Sequence, residues 1–313
     1  MRDFAHIPVM LDECIDALEI KNGGVYFDGT VGGGGHSFEI LRRSAPSGKL
    51  IATDLDEDAI SAASERLSEF NGRFQIYKSD YKNFQEVLEL AGIRELDGAL
   101  LDFGVSSFQL DCEERGFSYM KPSSPLDMRM DKNADLTAEI ILNEYSQKQI
   151  ANILKDYGEE KFAGQIAANV VKARSVKRLT TCGEFAEIIE NSIPAKFRHN
   201  GPCARKSFQA VRIAVNGELE GLYECVLGLT RKLKKGGRIA ILTFHSLEDR
   251  IVKQAFRMLE CDCVCDKILP VCVCGKTKEI EIITKKPITA SVKETAVNSR
   301  SKCAKLRVAE KII

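Results

Sequence analysis

The sequence has no tryptophan, no internal repeat and no low-complexity tract. No apolar run approaches the length that spans a membrane, so a helical membrane protein is not expected. The first residues, Met1-Arg2-Asp3-Phe4, carry no apolar leader. An excess of one charge is also missing, since Lys and Arg total 45 and Asp and Glu total 45. Such a chain has no global field to draw in a polyanion, and any nucleic-acid contact has to come from a local patch. The rest is ordinary for a soluble protein: 44% hydrophobic and 29% charged residues over 313 positions, enough to bury a sizeable core in one large domain or two small ones. Cysteine is the exception. Eleven thiols, an odd number, in a chain without an export signal read as reduced cytosolic cysteines rather than a disulfide framework. The expected location is cytoplasmic.

The chain is organised around Asp28-Gly29-Thr30-Val31-Gly32-Gly33-Gly34-Gly35-His36-Ser37. Gly24-Val25-Tyr26-Phe27 before it reads as a buried strand, and Phe38, Ile40 and Leu41 after it stand at helical spacing. A strand, a glycine turn and a helix follow one another. Four successive glycines remove the Cβ atoms from the turn and let a ligand approach bare backbone. The amides that open the helix favour an anion there. A tight connection without a ligand is the plain alternative. Lys49-Leu50-Ile51-Ala52-Thr53-Asp54 speaks against it, as a second strand ending in an acid about twenty residues on, where nucleotide-binding folds place a ribose acceptor. The dinucleotide pattern fails because Ser37 stands where a third glycine is needed. The looser acid-x-G-x-G-x-G turn of S-adenosylmethionine (SAM) methyltransferases fits better, with Asp28 as the acid, Thr30 in the first glycine place, then Gly32 and Gly34.

Further strands are expected at Phe74–Tyr77 and Leu96–Phe103, with helices through Ala59, Ala63 and Leu67 and through Phe84, Val87 and Leu88. Four strands alternating with helices predict a doubly wound parallel sheet, which binds ligands beyond its strand ends. Asp28, Asp54, Tyr81 and Asp102 all fall at or just past such ends. Each acid alone reads as a helix cap or a solvated turn; four such residues together point to a site.

From Gly104 no strand pattern recurs until about residue 238. Helical patterns at Leu136/Ile140/Ile141, Ile150/Ile153/Leu154 and Phe162/Ile166/Val170, and a capping box at Thr181-Cys182-Gly183-Glu184, predict a helical insertion between the fourth and fifth strands. A long helix from about Lys206 to Leu233 is expected to return the chain to a fifth strand, Arg238–His245. Strands at Ile280–Thr284 and Leu306–Ala309 close it. The expected division is 1–111 as the first part of the core, 112–205 as the insertion that recognises substrate, and 206–313 as the second part of the core. Between Asn191 and Gly217 there is no Asp or Glu, while Lys196, Arg198, Arg205, Lys206 and Arg212 are present with His199. Lys172, Arg174, Lys177 and Arg178 lie just before. This window is either a solvated face or a phosphate-contacting surface.

These motifs together resemble one family, the bacterial 16S rRNA (cytosine-N4)-methyltransferases. The resemblance is carried by His6-Ile7-Pro8-Val9, Asp28 to Ser37, Asp102 to Ser107 with Gln109-Leu110-Asp111, and Arg115-Gly116-Phe117-Ser118. It continues through Pro125 to Met130, Tyr157-Gly158-Glu159-Glu160, Phe208 to Arg212, Phe244 to Arg250, Ser299-Arg300-Ser301 and Leu306-Arg307, nearly end to end. The resemblance implies an α/β class I SAM-dependent methyltransferase, Rossmann-like and mostly parallel, with a helical insertion. It implies methyl transfer to the exocyclic amine of a decoding-centre cytosine in small-subunit rRNA. It implies SAM held by Gly34, Gly35, His36, Asp54, Tyr81, Asp102 and Gln109, beside the Gly32 of the turn. Its implied partner is 16S rRNA in the small ribosomal subunit, with no membrane; a homodimer is among the assemblies it allows. Tyr81 departs from an expected phenylalanine and Phe103 from leucine, with an aromatic face kept at 81.

The chemistry needs the amine aligned with the methyl and an acceptor for its proton, with the base out of its stack. Candidates near the amine are Asp102, Ser106 and His245, against plain readings of loop capping for Ser106 and a structural strand-end histidine for His245. Asp127 and Arg129 read equally as an ion pair or as pocket lining. A nucleotide-dependent oxidoreductase and a non-catalytic ribosome-binding factor are the competing readings; the missing third glycine weighs against the first and the intact glycines and acids against the second. Separately, Cys261, Cys263, Cys265, Cys272 and Cys274 place five thiols in an excursion, 261–274. Their C-x-C-x-C and C-x-C spacing is not the usual C-x2-C zinc pair. The resemblance implies no metal there, and the two readings are a structural zinc site or reduced surface thiols.

Overall fold

A computed structural model describes residues 8–198, 203–265 and 272–313. Of the residues singled out by sequence, His6, Ile7 and His199 lie outside the described residues. In chain order α1 (Leu11–Ala17), β1 (Val25–Asp28), α2 (Gly35–Arg43), β2 (Lys49–Asp54), α3 (Glu57–Arg66), β3 (Phe74–Lys78), α4 (Phe84–Leu90) and β4 (Leu96–Asp102) alternate. Six helices follow: α5 (Ser107–Asp111), α6 (Ala138–Glu144), α7 (Gln147–Asp156), α8 (Ala163–Arg174), α9 (Cys182–Ser192) and α10 (Ala204–Asn216). The chain then gives α11 (Leu222–Arg231), β5 (Leu233–Thr243), α12 (Ser246–Glu260), β6 (Ile280–Ile282), β7 (Ile288–Thr289), α13 (Val292–Val297) and β8 (Lys305–Lys311).

Two compact units result, one made of residues 1–104 and 219–313 and one of residues 105–218. The first unit holds the sheet, in the order β3-β2-β1-β4-β5-β8-β6, with β7 also on β8. The first five strands of that order are parallel, and β8 runs antiparallel to β5. Both faces are covered, and the strands show why: alternate residues go to opposite cores. Phe27, Ile51, Leu101 and Ile241 pack under α4, α11 and α12, while Tyr26, Leu50, Leu100 and Leu242 pack under α1, α2 and α3. The chain starts in the middle at β1, moves outward to β3, then crosses back to β4 on the other side of β1. That reversal opens a crevice beyond the ends of β1 and β4, where such sheets bind ligands.

The second unit has a core of its own, built on Ile141, Ile150, Leu154, Ile166, Val170, Phe185 and Phe208. The expected helices are present as α6, α7, α8 and α9, with Leu136 just ahead of α6 and Phe162 at the N-cap of α8; Thr181 accepts from the Glu184 amide, and the Glu184 side chain accepts from the Thr181 amide in return. Two expectations need correction. The long helix from Lys206 to Leu233 is two helices, α10 and α11, interrupted between Gly217 and Gly221, both at positive φ. The units also divide at 104/105 and 218/219 rather than at 111/112 and 205/206. The reason is packing: Val105 and Leu110 on one side, and Phe208, Ala210, Val211 and Val215 of α10 on the other, belong to the core of the second unit. In the first unit β5 begins five residues before the expected Arg238 and takes in the Lys235-Gly236-Gly237 turn as an irregularity in its pairing with β4.

Candidate active site

Asp28, Asp54 and Asp102 are the last residues of β1, β2 and β4, and Tyr81 follows β3. Three carboxylates thus converge on the ends of three adjacent strands. Asp28 is buried; its Oδ2 accepts from the Ser37 hydroxyl at 2.6 Å and its Oδ1 from the Thr30 amide at 3.1 Å. The Thr30 hydroxyl in turn accepts from the Asp102 amide at 2.6 Å and ties the turn to β4. The two places where the turn departs from a glycine pattern, Thr30 and Ser37, therefore supply its hydrogen bonds. Sequence reasoning misses that use of Ser37; a serine standing in a glycine's place one turn into the helix is its only signal.

Asp54 holds the turn from the other side, with Oδ2 accepting from the Gly32 amide and Oδ1 from the Asp56 amide, both at 2.9 Å. His36, on the first turn of α2, points Nε2 at the Val9 carbonyl, 3.1 Å away, and Nδ1 toward Asp102 Oδ2 at 3.9 Å. A neutral ring that donates from Nε2 presents its Nδ1 lone pair to the acid. Asp102 Oδ1 is buried and has no hydrogen-bond partner among the described residues.

Burial raises all three acids. Asp28 and Asp54 are pushed up to about 6 even though Ser37 and backbone amides stabilise their charges. Asp102 rises to about 8, through burial first and then the nearby charges of Asp28 and Glu248. Like charges crowded at the mouth of a crevice disfavour one another's ionised form. A ligand carrying positive charge relieves that repulsion, and the orphaned Oδ1 is ready to accept from it.

The glycines divide their work. A Cβ on Gly34 would come within 3.2 Å of Ala63 Cα in α3, and Gly34 sits at φ +76°. A Cβ on Gly35 would lie 2.2 Å from Pro8. These two are glycine because the protein's own chain passes there. At Gly32, φ +48°, a Cβ would meet nothing closer than 3.9 Å, so this backbone stands open. The expectation that all four glycines clear space for a ligand is thus narrowed to the start of the run.

Tyr81 is partly buried, with its ring centroid 5.3 Å from that of Phe103 and the Lys82 ammonium 5.8 Å from the ring. His245 caps α12: its Nδ1 accepts from the Glu248 amide at 3.4 Å, and Glu248 Oε2 accepts from the Phe244 and His245 amides. His245 Nε2 lies 3.0 Å from Glu248 Oε1, and both side chains are buried. That is the structural, capping use of the histidine.

The remaining expected residues belong to the second unit. Ser106 and Gln109 form a capping box on α5, each side chain accepting from the other's amide at 3.1 and 3.0 Å. Asp127 and Arg129 form an ion pair at 2.7 Å. Burial raises Asp127, yet the Arg129 bonds hold it below the ordinary carboxylate range. Arg115 is buried and donates to the carbonyls of Arg129 and Met130, so Arg115-Gly116-Phe117 and Pro125–Met130 stitch one loop. Of the basic window, Arg205 and Lys206 are exposed on α10, Lys196 lies 5.1 Å from the half-exposed Phe197 ring, and Arg198 donates to the Ile193 carbonyl. Arg212 does not belong with them. Its guanidinium is engaged by both oxygens of Glu218 at 2.9 and 2.8 Å, with side-chain exposures of 16% and 8%, and its charge is spent inside the protein. Arg178 and Lys177 are likewise paired with Glu139, Glu144 and Glu184.

Residues 3–312 match the MraW methylase family. The chain belongs to that family. A relative from Clostridium botulinum (strain Kyoto / Type A2), named "Ribosomal RNA small subunit methyltransferase H", is 50% identical over 99% of this chain and its own whole length. Relatives of the same name from Clostridioides difficile and Geobacter sp. are each 48% identical, over 99% and 100% of this chain and the whole of their own lengths. This family member is a SAM-dependent methyltransferase of the α/β class, and the three acids and the open glycine of its first unit fit a ligand with a sulfonium, an ammonium and a ribose diol. No helix among the described residues is long and apolar enough to cross a membrane.

Proposed function

We propose that this protein transfers a methyl group to the N4 exocyclic amine of a decoding-centre cytidine in 16S rRNA of the small ribosomal subunit, in the cytoplasm. The observation that carries the reading is the full-length match, near 50% identity, to relatives named for small-subunit rRNA. When bound, SAM supplies a methyl group already activated by positive sulfur. Asp54 accepts from the ribose hydroxyls, and the opening amides of α2 at Gly35 and His36 serve the carboxylate end, the Gly32 and Gly34 amides being held by Asp54 and the Val31 carbonyl. Tyr81 offers a ring face to the adenine. The negative charge of Asp102 balances the positive charge of the ligand.

The cytosine amine is a weak nucleophile because its lone pair is shared with the ring. An acceptor that takes a hydrogen bond from its N–H localises the pair and receives the proton. Ser106 and the Nδ1 of His245 are occupied as helix caps, and His245 Nε2 faces Glu248 Oε1 at 3.0 Å. Asp102 has an uncommitted oxygen at the strand end and a pKa raised to about 8, which suits it to hold that proton. Lys196, Arg198, Arg205 and Lys206 contact RNA phosphates. The test incubates the protein with labelled SAM and small subunits that lack the modification, then maps the product by mass spectrometry. N4-methylcytosine is expected; transfer to another base, or none with any small-subunit particle, overturns the reading.

A further inference from the structure

Four cysteines that the methyl-transfer reading leaves unused lie together in the excursion between α12 and β6. The Sγ atoms of Cys263 and Cys272 are 3.5 Å apart, Cys265 and Cys272 3.8 Å, Cys272 and Cys274 3.5 Å, and Cys274 and Cys263 3.9 Å. All four sulfurs lie within 4.8 Å of one another. These separations are too long for disulfides, whose sulfurs sit about 2.05 Å apart. They match the edges of a tetrahedron around a zinc ion, about 3.8 Å when each Zn–S bond is about 2.3 Å. Iron–sulfur clusters bind their cysteines on different irons and spread the sulfurs further than this. Cys261 stands apart, with its thiol directed at the Met258 carbonyl.

Two independent features support an ion at the centre. Backbone amides aim at the sulfurs: Cys265 N donates to Cys263 Sγ at 3.4 Å, Val264 N to Cys274 Sγ at 3.4 Å, and Val273 N to Cys265 Sγ at 3.3 Å. Gly275, at φ +60°, turns the chain sharply just after Cys274. Donors arranged in this way stabilise thiolate charge in metal centres. The described residues of the excursion also lack other anchors. Among its described residues there is no helix or strand, none joins a hydrophobic core, and Val264 and Val273 are 52% and 77% exposed. Small segments that cannot build a core are commonly held by metals or disulfides.

We propose that Cys263, Cys265, Cys272 and Cys274 bind one zinc ion as a tetrathiolate. Binding displaces the thiol protons to solvent and the ion's water shell with them, leaving a four-sulfur dianionic centre with no open position. The site is structural. Ile280 of β6 pairs with Lys311 of β8, the neighbouring Glu310 with Arg238, and Arg238 with Gly98 near the start of β4. The excursion therefore enters the sheet at the end opposite Asp28, Asp54 and Asp102.

Elemental analysis of the full chain, purified under reducing conditions and equilibrated with zinc, is expected to give one zinc per chain. C263S and C272S are expected to lose it, and C261S and C303S to keep it. Cobalt reconstitution of the unaltered protein decides the matter even where a variant fails to fold: intense thiolate-to-cobalt bands with tetrahedral d–d absorption are expected. A metal-free protein after equilibration, retention of zinc in C263S and C272S, octahedral cobalt spectra, or a one-iron centre in place of zinc each overturn the proposal. None of these readouts depends on the RNA substrate.

Discussion

At the scale of single residues, the site is a contest between burial and charge, and Asp102 shows it most clearly. Its carboxyl is raised to about 8 in the folded protein against about 3.9 in an unfolded chain. A raised acid stabilises the fold fully only below its unfolded pKa, and that contribution is lost as pH rises through the folded value. Asp102→Asn is therefore expected to raise the melting temperature of the ligand-free protein by a few degrees at pH 8 and to change it little near pH 4; melting curves across that range check it. The same carboxylate should bind a cation better once ionised. Affinity for SAM is expected to rise with pH toward about 8, and binding near neutrality to release protons, seen by calorimetry in buffers of different ionisation enthalpy. At Asp54, which bonds the Gly32 amide, Asp54→Ala is expected to cost roughly ten- to a hundredfold in SAM affinity, the weight of about 1.5–3 kcal/mol for charge-assisted hydrogen bonds. Unchanged affinity would refute the ribose assignment.

At the scale of elements, the glycine run separates stability from binding. Gly34→Ala places a methyl group against the α3 backbone at an unfavourable φ. It is expected to lower stability by about 1–3 kcal/mol, read by denaturant unfolding. Gly32→Ala meets open space and is expected to lower SAM affinity with a smaller loss of stability. Equal effects from the two would contradict the division. The strands were legible in the sequence because alternate residues of β1, β2 and β4 feed two cores, and the strand-end acids followed from that register. The capping box at Thr181 was legible because four residues define it locally. What stayed hidden was long-range. Nothing in Gly34-Gly35 announces that Ala63 and Pro8 pass against them. The Arg212 pairing crosses the bend after α10, which local periodicity reads as one continuous helix. The cysteines' gathering depends on a loop closing back on itself, and their spacing alone favoured free thiols over zinc.

At the scale of the molecule, a neutral chain has to make its RNA surface locally. Once paired cations are set aside, Arg205 and Lys206 on α10 are the exposed charges of the window with the clearest access. Reversing both to glutamate is expected to weaken RNA binding and to reduce the slope of log affinity against log salt by about 0.7–0.9 for each phosphate no longer neutralised. Arg212→Ala, by contrast, strands the buried Glu218 carboxylate and is expected to cost stability while leaving that slope unchanged. Filter binding across a salt series, beside melting curves, distinguishes the two.

The discontinuity of the first unit has a consequence for how the chain is made. β4 ends at Asp102, and its partner β5 begins at Leu233. On a ribosome adding roughly 5–20 residues each second, β5 emerges on the order of ten seconds after β4. The second unit is contiguous and can close its own core during that interval. The half-built sheet meanwhile waits with the edge of its central strand bare, open to pairing with the wrong chain. Synthesis rate and chaperone access over that window thus govern the yield of native protein, and changing the codons between the two strands is a way to alter that yield without changing a residue.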